Sequence, residues 1–99
     1  MLYMIVGRDA EDSLSRRAAA RESHLARINV LLDEGRLVLA GPLPRIDAAD
    51  PGPAGFAGSL IVAEFESLEA AREWAISDPY LNCGAWEDTE VHPFKQVLP

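Results

Sequence analysis

Cysteine occurs once in the 99 residues, at Cys83, and histidine only twice, at His24 and His92. A lone thiol excludes an internal disulfide framework and suits a reducing compartment, so a cytoplasmic location is expected. His92 in "VHPF" has no second histidine or cysteine at ligand spacing, so no metal site is expected. Basic residues are scarce as well: nine against sixteen acidic ones, for a formal charge of -7. That balance repels phosphates and anionic lipid, and it argues against a nucleic-acid or membrane partner. Long apolar runs are missing. The opening "MLYMIVGRDAED" reaches charge within a few residues, which is too short for a spanning helix and lacks the basic lead of a signal peptide. There is no Gly-x-Ser-x-Gly elbow to activate a serine and no glycine-rich phosphate cradle, so the expected chemistry needs no cofactor.

What remains is an ordinary globular composition, 48% hydrophobic and 25% charged, in a chain long enough for one core and too short for two. A single domain over residues 1–99 is expected. Residues 2–8, "LYMIVGR", predict a strand. "DSLSRRAAARESHLARINVLLDEG" predicts a helix opened by Asp12 or Ser13, stopped by Gly35, and turning Leu14, Ala18, Leu25, Ile28, Leu31 and Leu32 inward. "RLVLAG" predicts a second strand. From Pro42 to Gly58 the prolines lack amide donors, which predicts a loop that can serve as a lid. "GSLIVAEF" predicts a third strand. "SLEAAREWAIS" predicts a helix capped by Ser67, with Leu68, Ala71, Trp74 and Ala75 inward, and "DPYLNCG" breaks it. "WEDTEVHPFKQVL" predicts a fourth strand, with Pro93 confined to an edge or bulge.

Strand, helix, strand, strand, helix, strand is the order of a ferredoxin-like α+β sandwich, a four-stranded antiparallel sheet with two helices on one face. Both alternations of the strands are apolar: Leu60 and Val62 against Ile61, Ala63 and Phe65, and Leu37 and Leu39 against Val38 and Ala40. Helices can cover only one of those faces, so a homodimer formed sheet to sheet is expected.

Arg17, Arg21 and His24 lie four and three residues apart and so share one side of the first helix, beside its apolar stripe. In this acidic chain they suggest a small polar site for an anionic ligand. A guanidinium fork grips carboxylates or phenolates, with Arg21 the better placed of the two; the same arginines would serve equally on a solvated face or against Glu22. Ser59, at a strand start, is a further candidate for facing the ligand, or a plain turn residue. Tyr3, Trp74, Tyr80 and Trp86 are expected to fill the core or a dimer interface.

The chain resembles the YciI-like (YCII-related) proteins over almost its whole length. The resemblance rests on "MLY", "R…HL.RI..L..EGRL...GP", "DPG.AGF.GS", "AEFESLEAA..WA..DPY" and "V.PFK.V". It implies a dimeric ferredoxin-like domain and a site centred on a histidine and an aspartate, which fall on His24 in "HLARI" and Asp78 in "SDPY". For some members it implies removal of halide from a chlorinated ring diol. A carboxylate beside an imidazole fixes its tautomer and raises its basicity, giving a general-base pair. By residue type alone, His24 would also suit a bond to a backbone carbonyl, and Asp78, before Pro79, a turn. Two functions are therefore carried forward: a cofactor-independent enzyme acting on a small anionic or phenolic molecule, and a small-molecule binding module with the same pocket.

Overall fold

A computed structural model describes residues 1–99. Strand β1 (Leu2–Asp9) leads into helix α1 (Leu14–Asp33), and β2 (Leu37–Pro44) and β3 (Phe56–Glu64) follow. Helix α2 (Leu68–Ile76), a one-turn helix α3 (Pro79–Asn82) and β4 (Trp86–Phe94) complete the chain. All strand pairs are antiparallel, in the order β2-β3-β1-β4, which is the ferredoxin-like arrangement with β1 and β3 in the middle.

The ends of α1 follow from their residues. Gly35 sits at φ 71°, its amide donates to the Leu32 carbonyl, and the next amide, Arg36, reaches back to Leu31. That pair of bonds is a Schellman closure, for which glycine is suited because it adopts the left-handed region without a Cβ penalty. At the other end the expected cap is not made: Ser13 occupies the cap position, but its hydroxyl donates to Asp9 instead. Ser67 does cap α2, accepting from the Ala70 amide.

The buried face of α1 is the expected apolar stripe only in part, at Ile28 and Leu31. Arg17, Ala20, His24, Ile28 and Leu31 point inward, while Leu14 is 39% and Leu32 56% exposed. The helix is rotated because Arg17 and His24 both find buried carboxylate partners, which offset the cost of taking polar groups out of water.

Two strand ends also move. β2 runs on through Pro42 and Pro44, so the expected loop shrinks to residues 45–55 with a short 3-10 turn at Gly52–Ala54. The prolines are tolerated because β2 is an edge strand paired only with β3. β4, the other edge, accommodates Pro93 as expected but ends at Phe94, leaving Val97 and Leu98 outside the sheet.

Tyr3, Ile5, Ile61, Ala63 and Phe65 meet Ala71 and Ala75 of α2 and Ile28 and Leu31 of α1 in one core. The opposite sheet face carries Leu2, Met4, Val6, Leu60 and Val62 at its centre, flanked by a charged rim in which Arg8 binds Asp88 and Glu90. An irregularity between Leu37 and Leu39 corrects the expected alternation of β2: Leu37 opposes Ala63 and joins the core side, whereas Leu39 opposes Val62 on the open face. No helix is long and apolar enough to cross a membrane.

Trp86 lies flat across the backbone of Gly7, where a Cβ would come within 2.2 Å of two indole carbons. On the neighbouring strand Gly58 also comes close, since a Cβ there would meet the Gly7 carbonyl oxygen at 2.2 Å. Gly7→Ala is therefore expected to lower stability by about 1–3 kcal/mol through overpacking, read as a drop in the melting temperature.

Candidate active site

The polar residues of the inner α1 face meet the end of β1, the start of β3 and helix α3. Between α1 and the β2–β3 edge lies a cavity of about 520 Å³, within the usual range for small-molecule sites. His24, Arg17, Arg21, Ser59 and Tyr80 supply its polar lining, and Leu25, Pro42, Phe56 and Ile61 contribute apolar walls.

His24 is 5% exposed and Asp78 fully buried, and the imidazole Nδ1 lies 2.7 Å from Asp78 Oδ1. Asp78 is where it is because it caps α3: the same Oδ1 accepts the Tyr80 amide at 2.9 Å. Its other oxygen accepts from Arg27 at 3.3 Å. A carboxylate surrounded by an amide, a guanidinium and a ring nitrogen acts as acceptor throughout, so the proton of the neutral imidazole is assigned to Nδ1. The Nε2 lone pair then belongs to the cavity: it makes no bond within the protein, and the one sealed, unpartnered side-chain polar atom is Trp86 Nε1. Tyr80 stacks on the imidazole with centroids 3.8 Å apart and planes 11° from parallel, and Trp86 meets it edge-on at 5.5 Å. The ring is thereby fixed in place and in tilt.

Arg17 is the most heavily bonded side chain of the site. Its Nε and Nη2 donate to Asp9 at 2.6 and 2.9 Å, and Nη2 also reaches the Gly58 carbonyl at 2.9 Å and Ser59 Oγ at 2.8 Å. The expectation of an Arg17 fork open to a ligand thus meets a fork already occupied and a charge already balanced by Asp9. What Arg17 does is hold the Ser59 hydroxyl in the cavity wall and lie against the Phe56 and Tyr80 rings at 4.8 and 4.9 Å. Arg21 is different: it is exposed, lines the cavity, and has no acidic partner.

Burial pushes the Tyr80 phenol above its ordinary value, against the opposing charges of Arg17 and Arg21, so the hydroxyl stays protonated. Burial draws the Arg27 guanidinium down while Asp78 works against that shift; it remains a cation at physiological pH. No three His, Cys, Asp or Glu side chains converge as a metal-binding set.

His24 and Asp78 are thus in direct contact, with Arg17, Arg21 and Ser59 around the same cavity. Asp9, Arg27 and Tyr80 were not anticipated there. Two left readable signals: Asp9 follows Tyr3, Ile5 and Gly7 on the inward alternation of β1, and Arg27 lies one helical step beyond His24. Tyr80 left none, because a tyrosine in a core and one in a cavity wall have the same pattern.

The model of the YCII-related domain matches residues 1–95. Protein YciI of Escherichia coli is 56% identical over 98 residues, covering 99% of this chain and all of that protein. A protein of Haemophilus influenzae is 48% identical over the same span and coverage. Among solved structures, 5-chloro-2-hydroxyhydroquinone dehydrochlorinase (TftG) of Burkholderia phenoliruptrix, in complex with 2,5-dihydroxybenzoquinone, superposes with a TM-score of 0.80 at 27% identity, over 96% of this chain and 94% of that one. With the family model spanning nearly its whole length, and close relatives matched end to end, the chain belongs to the YCII-related family.

Proposed function

We propose that the cavity is the active site of a cofactor-independent enzyme, in which His24 removes a proton from a hydroxyl group of a small phenolic or otherwise anionic molecule. One observation carries the reading: a buried carboxylate holds His24 through Nδ1 while Nε2 faces a largely apolar cavity. In the step envisaged, the O–H proton moves to Nε2 and the electron pair stays on the oxygen. From there it can form a carbonyl as the neighbouring halide-bearing ring carbon takes up a proton; loss of a second hydroxyl proton then sends its electron pair through the ring to expel halide from that saturated carbon, so that the net change is loss of hydrogen halide and formation of a quinone. Asp78 stabilises the imidazolium until the proton returns to solvent, Arg21 offsets negative charge on the ligand, and the Ser59 hydroxyl, held by Arg17, orients it. The likeness to a dehydrochlorinase supports this reaction class.

A thermal-shift screen of hydroxylated and chlorinated single-ring compounds, followed by turnover assays on the hits, tests the proposal. Ligands that stabilise the protein but are never transformed would replace the enzyme with a binding module.

The same reading includes a homodimer. Leu39, Leu43 and Phe94 widen the apolar centre of the open sheet face, and such a patch is normally buried against another surface. Light scattering is expected to return twice the 10.8 kDa of one chain; a monodisperse monomer at high micromolar concentration would refute the assembly.

A further inference from the structure

We propose that the Tyr80 hydroxyl and the Arg21 guanidinium form the recognition wall of this cavity, and that the molecule they select is a small one carrying a single negative charge. The inference rests on the proton-transfer reading above and narrows its substrate class.

The first argument is a balance of charges. Arg17 is neutralised by Asp9 through two bonds of 2.6 and 2.9 Å, and Asp78 is shared between Arg27 and His24. Arg21 remains the one charge at the cavity with no counter-ion within ion-pair distance. A site with a single uncompensated positive charge, walled by apolar and aromatic groups, favours a monoanion. A neutral ring leaves Arg21 unused, and a dianion brings a second charge out of water without a partner.

The second argument is the placement of Tyr80. Its side chain is 3% exposed, its ring is pinned by the His24 stack, and its backbone amide is tied to Asp78, so its hydroxyl cannot swing away. The Arg17 guanidinium beside that hydroxyl can only donate to it, so the phenolic proton has no acceptor within the protein, and Tyr80 is part of the cavity lining. The phenol, kept protonated by burial, is a donor in search of an acceptor. An anionic ligand oxygen near Arg21 supplies one. With His24 stacked on its ring and the Arg17 guanidinium also over it, Tyr80 offers a ligand its hydroxyl rather than a stacking face.

Calorimetry with three probes tests the proposal: gentisate, a hydroquinone ring with one carboxylate; hydroquinone itself, uncharged; and terephthalate, with two charges. Gentisate is expected to bind about tenfold tighter than either of the others. Tyr80→Phe, which keeps the ring and its stack, should weaken gentisate about tenfold and leave hydroquinone unchanged. Arg21→Gln should bring gentisate down to the level of hydroquinone. Equal binding of the three probes, wild-type affinity for gentisate in Tyr80→Phe, or no gentisate binding at millimolar concentration would each overturn the proposal. If melting curves show that Tyr80→Phe has not folded, the Arg21→Gln comparison decides alone, since that side chain is exposed. The readout is binding, so its failure is separable from that of the enzyme reading. Charge-selective binding without turnover of any substrate would remove the enzyme and keep the wall, whereas turnover with KM unchanged in Tyr80→Phe would do the reverse.

Discussion

His24→Gln is expected to reduce turnover by about 10²–10⁴-fold, the usual contribution of a positioned general base, while the protein still melts cooperatively. Glutamine is the informative replacement because its amide N–H can still donate to Asp78, leaving the carboxylate satisfied. Alanine would confound the measurement. His24 is stacked on Tyr80 and meets Trp86 edge-on, so truncation opens a void beneath two aromatic rings as well as removing the base. The ring belongs to the core as much as to the cavity. Initial rates on a substrate identified by screening, set beside melting curves of the same preparations, check the prediction. A Gln variant with wild-type kcat/KM would move the base elsewhere.

Asp78→Ala is expected to cost about 3–5 kcal/mol of stability, the range for removing one partner of a buried ion pair. Three groups lose their acceptor together: the His24 Nδ1–H, the Arg27 guanidinium and the Tyr80 amide that the carboxylate caps. Against a total stability of about 5–15 kcal/mol, that is a large share. Urea titration should show the midpoint falling with the slope unchanged. Asp78→Asn separates the two roles. Its side-chain oxygen can still cap α3, so folding should recover in part, but the amide can donate to Nδ1 and move the imidazole proton to Nε2. Activity should then stay near that of His24→Gln. Recovery of full activity in the Asn variant would show that the charge of Asp78 has no part in the chemistry.

The elements that depend on local signals were legible in the sequence: the four strands, the two longer helices, the Ser67 cap and the Gly35 stop each rest on a few neighbouring residues. The rotation of α1 was not, because hydrophobicity ranks Leu14 and Leu32 as more inward than Arg17 and His24, and only the distant partners Asp9 and Asp78 reverse that order. The prolines of β2 misled for a similar reason. Proline excludes a central strand, but whether a strand is central is a property of the whole sheet. For the site, helical spacing brought Arg17, Arg21 and His24 to one side, and family resemblance supplied Asp78. The contact between His24 and Asp78, 54 residues apart, was beyond either kind of local reasoning.

The shared oxygen of Asp78 gives the site a reporter of its own. Because Oδ1 receives both the imidazole N–H and the Tyr80 amide, any movement of Asp78 that strips His24 of its acceptor also frees the Tyr80 backbone proton to exchange with solvent deuterium. The exchange rate of that single amide therefore sets a ceiling on how often Asp78 lets go of His24, in the free protein and with no substrate in hand.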